Sequence, residues 1–142
     1  MEARYETILE EYQKTLNIEA LTMSEMTRQD ILPSVSGYIA SLAEAVAAKR
    51  AVISDLPCQA ETALIRKLSG LLDSAYEKVE KLDALVSDGK AESHNTLSAA
   101  TYYKDVIIPA MAELRAVVDQ MEVDTSADFW PYPSYGDLMF RV

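Results

Sequence analysis

The side chains that most often carry out chemistry are scarce in this chain of 142 residues. His94 is the only histidine and Cys58 the only cysteine. A metal site built from several imidazoles and thiolates is therefore excluded, and a Cys–His pair would lack a third group to orient it. We interpret Cys58 as a small residue at the start of a helix, and His94, in a polar run, as a solvated loop or first-turn residue.

The carboxylates and lysines do not form a recognisable catalytic set either. Glu2, Glu6 and Glu10 are four residues apart and repel one another, which is typical of a solvated helix face. The Glu-x-x-His motif of metal sites in helical bundles is absent, as are a P-loop and a dinucleotide fingerprint. Lys49 and Lys104 interrupt apolar stripes, where their stems cover apolar surface and their ammonium groups reach water. The sequence thus predicts no catalytic, cofactor-binding or metal-binding residue, and no enzyme activity for this chain alone.

The charge balance argues against two classes of partner. The chain has 23 acidic residues against 13 lysines and arginines, a formal net charge of −10. Phosphate backbones and anionic lipid surfaces are bound by basic patches, so we expect neither a nucleic-acid nor a membrane partner. The N-terminal residues lack a signal-peptide pattern, no run of 18 apolar residues occurs, and one cysteine suits a reducing compartment. We therefore expect a cytoplasmic protein.

Three sets of mainly apolar residues, spaced alternately three and four apart, predict three long helices. The sets are Leu32, Val35, Ile39, Leu42, Val46, Lys49, Ile53 and Leu56; Ile65, Leu68, Leu72, Ala75, Val79, Leu82 and Val86; and Leu97, Ala100, Lys104, Ile107, Met111, Leu114, Val118 and Met121. Short connections at Leu56 and Pro57 and at 87–89 would make consecutive helices antiparallel. The predicted fold class is all-α, an antiparallel bundle of three long helices.

A further helix is predicted before this bundle, because Tyr5, Leu9, Tyr12 and Leu16 keep the same spacing. Between Leu16 and Pro33 the pattern fits a bent continuous helix as well as a break. Pro33 and Pro109 lie inside apolar helical patterns, so each predicts a kink or a restart.

We expect a single domain over 1–142. It would comprise an N-terminal helical segment (1–29), the bundle core (30–123) and a C-terminal tail (124–142).

The tail is aromatic and rich in proline, which predicts an extended chain that lies against another surface. Five of the chain's 11 aromatic residues are found there, and we take them as candidate docking or packing anchors: Phe129, Trp130, Tyr132, Tyr135 and Phe140. They would either pack on their own bundle or anchor the bundle on a partner.

Four segments together resemble the C-terminal region of type III glutamine synthetases, the long bacterial form of that enzyme. They are 16–23, 31–38, 102–106 with 109–115, and 130–138, of which the last, Trp-Pro-Tyr-Pro-Ser-Tyr-Gly-Asp-Leu, is the most specific. The resemblance implies a fragment whose parent ligates ammonia to glutamate with ATP and Mg²⁺ or Mn²⁺, in a catalytic domain located upstream. None of that domain's motifs is present here, so no catalytic or cofactor residue is carried over.

The resemblance also implies partners: the parent's catalytic domain and neighbouring subunits of its stacked rings, with a possible homo-oligomer of the fragment itself. A structural or assembly role in nitrogen metabolism follows from it. The alternative is a free-standing acidic helical module that binds another protein through its tail or an open groove.

Overall fold

The structure, a computed structural model, describes residues 2–91 and 96–133, and every regular element in them is helical. The elements are α1 (Glu2–Met26), a first π turn (Thr27–Ile31), α2 (Leu32–Val52), α3 (Gln59–Ala91), α4 (Thr96–Tyr102), a second π turn (Tyr103–Ile107) and α5 (Ile108–Asp124). The predicted all-α class is confirmed.

These elements form three long helices in the described residues. The backbone stays helical from residue 2 to residue 52, so α1 and α2 are joined through the first π turn into the first long helix. The second long helix is α3, and the third comprises α4, the second π turn and α5. The additional N-terminal helix of the sequence analysis is therefore not separate: it is α1, and the ambiguous stretch between Leu16 and Pro33 is continuous.

Each π turn ends two residues before a proline, and the two turns have the same hydrogen-bond pattern. The backbone N–H of Leu32 donates to the carbonyl of Thr27, and that of Ile108 donates to the carbonyl of Tyr103. Each bond spans five residues instead of four, which adds one residue to the turn. Pro33 and Pro109 are the second residues of α2 and α5, in the first turn, where a missing N–H costs little. The bend of the helix axis at each proline stays a prediction.

Ion pairs mark how the helices run against one another. Along the first and second long helices, Lys49 pairs with Glu61 at 2.8 Å and Arg28 with Asp83 at 2.7 Å. The residue numbers rise on one helix as they fall on the other, so the two are antiparallel. The second and third long helices are antiparallel by the same criterion, because Lys67 pairs with Asp124 at 2.6 Å and Lys81 with Glu113 at 3.5 Å.

The first and third long helices run in the same direction and close the bundle. The hydroxyl of Tyr103, on the third helix, donates a hydrogen bond to Asn17 Oδ1, on the first helix, at 3.1 Å. Further along, residues 18–31 of the first helix and residues 111–122 of the third line a common groove. The arrangement is thus up, down and up.

The core lies where all three long helices are side by side. Its buried side chains are Leu16, Ala20, Ile31, Val35, Leu68, Ala75, Val79, Leu82, Val86, Tyr103, Ile107, Ala110, Leu114, Val117 and Met121. Most of them belong to the three predicted stripes. Val35 is the only buried residue of α2, because the third long helix ends at Asp124 and does not accompany the rest of α2.

One predicted boundary is wrong. The sequence places a connection at 87–89, but α3 continues through Gly89 to Ala91. A Cβ at Gly89 would lie 2.7 Å from Tyr102 Cε1, so this glycine makes room for an aromatic ring. The Tyr102 hydroxyl donates to the Leu85 carbonyl at 2.7 Å, which holds the ring in place. Glycine therefore serves helix packing here, not a turn.

The first long helix is long and apolar enough over Arg4–Val52 to cross a membrane, by length and composition alone. The sequence contains no uninterrupted run of 18 apolar residues, so the sequence analysis did not predict this candidate span. The same helix supplies Leu16, Ala20, Ile31 and Val35 to the core, although only 11% of its most apolar 18-residue window is buried.

Candidate docking surface at the C-terminal segment

The chain turns back on itself after α5. Thr125 leaves the helix with extended geometry, and its N–H still donates to the Met121 carbonyl at 2.9 Å. The N–H groups of Phe129 and Trp130 then both donate to the carbonyl of Ser126, at 2.9 and 3.0 Å. Residues 127–129 thus form a turn where the sequence analysis predicts extended chain. We call residues 125–133 the C-terminal segment.

Phe129 contacts the first long helix at α2. Its ring centroid lies 5.3 Å from that of Tyr38, with the two planes tilted by 47°. A Cβ at Gly37 would lie 3.9 Å from the same ring, an ordinary contact distance. This tilted aromatic pair attaches the segment to α2 close to the level at which the third long helix ends.

Tyr132 fixes the segment to the first π turn. Its hydroxyl donates to Asp30 Oδ2 at 2.6 Å, across 102 residues of sequence. Burial of the phenol, then the hydrogen bond and the negative charge of Asp30, raise the pKa of Tyr132 to about 12. All three favour the neutral hydroxyl, because a tyrosinate would be poorly solvated and would face a carboxylate.

Trp130 and Tyr132 also pack against the core cluster. Three of the five aromatic anchors proposed from the sequence therefore lie on their own bundle: Phe129, Trp130 and Tyr132. Tyr135 and Phe140 lie outside the described residues. A role for any of the five in binding a partner stays a prediction.

An open groove of about 650 Å³ lies beside this segment, between the first and third long helices. Its lining is largely apolar and rich in methionine: Ile18, Met23, Met26, Met111, Val118 and Trp130. Met26 is 38% exposed and Ile18 is 63% exposed, so part of the groove is open to solvent. Glu19, Asp119 and Glu122 make its border acidic, and Arg115 adds one positive charge.

The first turns of α1 form a second exposed apolar surface. Tyr5 and Ile8 are 56% and 58% exposed, and no described side chain from Arg4 to Thr15 is buried. Tyr5 and Tyr12 belong to the stripe that becomes buried only at Leu16. We call Tyr5, Ile8 and Tyr12 the N-terminal patch. The sequence gives its spacing but not its exposure, which depends on where the other helices end.

The residues considered for chemistry are dispersed in the fold. Over residues 2–91 and 96–133, no three His, Cys, Asp or Glu side chains come together as a metal site would require. Cys58 is buried just before α3, with a φ of 48°. His94 lies outside the described residues. Lys49 is exposed and pairs with Glu61, and this contact raises the pKa of Lys49 and lowers that of Glu61.

Sequence reasoning missed the partners that position the C-terminal segment. Asp30 accepts a hydrogen bond from Tyr132, and the ring of Tyr38 packs against that of Phe129. Arg28 joins the first π turn to α3 through ion pairs with Asp83 and Glu80. The hydrogen bonds from Arg28 to Asp83 and Glu80 raise the pKa of Arg28. Each contact joins residues more than 50 positions apart, so no local sequence pattern predicts it.

The fold is a helical domain with exposed apolar surfaces, and comparisons with known proteins indicate which family it resembles. Residues 1–50 match the model of the glutamine synthetase C-terminal domain. The chain is 31% identical over 142 residues to a glutamine synthetase of Butyrivibrio fibrisolvens, covering 99% of this chain and 20% of that protein. It is 28% identical to the type-3 glutamine synthetase of Dictyostelium discoideum and 24% identical to a glutamine synthetase of Bacteroides fragilis, with coverage of 99% and 96% of this chain.

The resemblance recognised in the sequence is confirmed, because residues 1–50 match the model of the glutamine synthetase C-terminal domain and nearly the whole chain aligns with glutamine synthetases. The chain spans about a fifth of the length of the relatives that it matches.

Proposed function

We propose that this chain is the non-catalytic C-terminal domain of a type III glutamine synthetase and that it serves structure and assembly. The single observation that carries the proposal is the match of nearly the whole chain to about a fifth of each relative. The likeness to a relative named as type-3 supports the type III assignment.

The chemistry would belong to the rest of the parent protein. There, ATP and Mg²⁺ or Mn²⁺ would support the ligation of ammonia to glutamate, in the cytoplasm. The described residues of this chain do not fit a metal, because no three ligand side chains converge. We therefore assign no step of the reaction to them.

The N-terminal patch is the surface that we assign to the catalytic domain or to a neighbouring subunit. Its large side chains face solvent on a helix that extends past the buried core, and aromatic residues are frequent anchors at protein interfaces. Its position in α1 is also within the residues that match the family model. If this patch contacts other parts of the parent protein, the domain would stabilise the assembly.

The proposal is tested in the full-length parent protein by replacing Tyr5, Ile8 and Tyr12 with serine. We expect the oligomer to dissociate or to melt at a lower temperature, as measured by solution mass and thermal unfolding. The matched control replaces Tyr76 and Val123 with serine, which are 53% and 82% exposed elsewhere on the bundle. An unchanged oligomer in the patch variant, with the same melting temperature as the control, would contradict the assembly role of this patch.

Two further observations separate this proposal from a free-standing interaction module. The reading frame should continue upstream into a glutamine synthetase catalytic domain, whereas an independent gene would favour the module. The isolated chain, incubated with ATP, glutamate, ammonia and Mg²⁺, should form no glutamine. Glutamine formation would contradict the non-catalytic assignment.

A further inference from the structure

The last two turns of α5 carry an unfavourable arrangement of charges. Asp119, Glu122 and Asp124 lie there, and the last turn contains no basic residue. The C-terminus of a helix has a partial negative charge, which favours cations and repels carboxylates. Lys67 pairs with Asp124 at 2.6 Å. In the part of the chain that the structure describes, no ion pair involves Asp119 or Glu122, and Arg115, one turn earlier, pairs with neither. This end of the helix therefore has negative charge that a bound cation would neutralise.

A pocket of about 400 Å³ opens beside these two carboxylates, between α5 and the C-terminal segment. Its lining includes Asp119, Glu122, Thr125, Trp130 and Tyr132. It adjoins the groove described above, because both carboxylates and both aromatic residues also line that groove. The two rings are held by packing on the core cluster and, for Tyr132, by the hydrogen bond of its hydroxyl to the first π turn. The aromatic wall of the pocket is thus formed before any ligand binds.

Thr125 brings an unused hydrogen-bonding group to this pocket. Its side chain is buried, with the residue only 7% exposed, and its backbone N–H donates to the carbonyl of Met121. Among the described residues, its Oγ1 has no hydrogen-bond partner. A buried hydroxyl without a partner costs free energy, so such groups in proteins are usually paired. A ligand with an N–H donor that enters the pocket would supply the missing partner.

These groups together select an organic cation. The carboxylates attract positive charge, the hydroxyl oxygen accepts a hydrogen bond, and the aromatic faces attract ammonium groups and cover an apolar stem. An ammonium group has three N–H donors, enough for two carboxylates and one hydroxyl. A divalent metal fits less well, because aromatic faces supply no oxygen ligand and no three His, Cys, Asp or Glu side chains converge in the described residues.

We propose that this pocket binds a primary ammonium group on an alkyl stem. Asp119 and Glu122 pair with the ammonium group, and Thr125 Oγ1 accepts one of its hydrogen bonds. The stem lies against the rings of Trp130 and Tyr132. The ligand is a free alkylamine or a lysine side chain of another chain. The proposal depends neither on the N-terminal patch nor on the parent's assembly, because every group that it needs belongs to this chain.

The fluorescence of Trp130 tests the proposal in the 142-residue chain, because Trp130 is its only tryptophan. The probe is butylammonium chloride, added at an ionic strength kept constant with sodium chloride. We expect a saturable change in emission with a dissociation constant in the millimolar range. The matched control ligand is butanol, which has the same stem without the charge and should bind at least about tenfold more weakly.

Two sets of variants assign the effect to the pocket. Asp119→Asn combined with Glu122→Gln removes both charges and should weaken butylammonium binding about tenfold. The matched control, Glu6→Gln combined with Glu10→Gln, removes the same charge from an exposed face of α1 and should bind like the unaltered chain. Thr125→Val removes the hydroxyl and nearly keeps the shape, so it should weaken binding several-fold without lowering the melting temperature.

Three results would overturn the proposal. Butylammonium and butanol bind equally well, which leaves only an apolar surface. The variant without the two pocket carboxylates binds as tightly as its control. Mg²⁺ binds more tightly than butylammonium, which makes the pocket a metal site. If butylammonium binds as proposed, comparison with N-acetyl-lysine methylamide identifies the source of the ammonium group. Tighter binding of the lysine compound indicates a lysine of another chain, and tighter binding of butylammonium indicates a free amine.

Discussion

The middle of the bundle and its two ends have the same apolar spacing but different burial. In the middle, Leu82 and Leu114 are fully buried among three helices. At one end, Tyr5 and Tyr12 of the same kind of stripe are 56% and 39% exposed. At the other end, Val52 and Ile53 are 84% and 51% exposed beside the connection to α3. A stripe thus predicts which face of a helix is apolar, and the number of neighbouring helices decides whether that face is covered.

The difference separates side chains that stabilise the fold from side chains that do not. Covered stripes contribute to stability, and the uncovered N-terminal patch is the one that we propose as a partner surface. The C-terminal segment lies between these cases, because it covers part of the open side with Phe129, Trp130 and Tyr132.

Leucine truncation should show the contrast at its largest. Leu82 is fully buried, so Leu82→Ala should lower the free energy of unfolding by about 2–5 kcal/mol through lost contacts and a cavity. Leu97 is the matched control, because it is 55% exposed at the start of α4. Leu97→Ala should change the free energy of unfolding by less than about 0.5 kcal/mol. Urea unfolding of both variants measures this. Equal losses would mean that the ends are as well packed as the middle.

Removal of the tryptophan should have the next largest effect. Trp130 is half-buried against the core, so Trp130→Ala should cost about 2 kcal/mol, less than the ~3–5 kcal/mol of a fully buried tryptophan. Thermal unfolding of the isolated chain measures it. If the isolated variant melts like the unaltered chain while the full-length parent loses assembly, Trp130 binds a partner and not its own bundle.

Two glycines in α3 should respond in opposite directions to the same substitution. Gly89→Ala should destabilise the fold by about 1–3 kcal/mol, because the new Cβ meets the ring of Tyr102. Gly70 has nothing within 4 Å of the position of a Cβ, so Gly70→Ala should stabilise by about 0.5–1 kcal/mol through helix propensity. Chemical unfolding of the pair tests this, and stabilisation by both would show that Tyr102 moves away freely.

The hydrogen bond of Tyr132 should give the smallest effect and a distinct dependence on pH. Since the folded-state pKa is raised from 10.0 to about 12, the stabilisation is complete below pH 10 and is lost as the pH rises to about 12. Tyr132→Phe should cost about 1 kcal/mol at neutral pH and remove this part of the alkaline loss. Unfolding free energies of both proteins across that range measure it. Parallel curves would show that Tyr132 does not titrate in this way.

Much of the fold was predictable from local patterns. The spacing of Leu68, Val79 and Leu82 on α3, and of Ile107, Leu114 and Met121 on the third long helix, marks the buried faces correctly. The connection near Pro57 was also predictable, since α2 ends at Val52 and α3 begins at Gln59. The connection at Gly89 was not, because glycine is the usual signal of a turn and only the ring of Tyr102 reveals its other use.

The sequence predicted the residue types of the C-terminal segment but not the residues that it contacts. Aromatic residues between prolines indicated a segment that lies on another surface. Phe129 and Tyr132 contact Tyr38 and Asp30, which are 91 and 102 residues away in the chain. The chain has many other aromatic and acidic side chains, so the sequence could not single out these two as the contacts.

The sequence by itself determined an acidic, all-helical chain with three apolar stripes, because a repeat of three and four residues places side chains on one face of a helix. The tertiary structure alone decided that α1 and α2 are continuous through a π turn ahead of Pro33, where the N–H of Leu32 bonds the carbonyl of Thr27 five residues earlier. It also decided which stripes are covered, because burial depends on where each neighbouring helix ends, and that is a property of the whole assembly of helices.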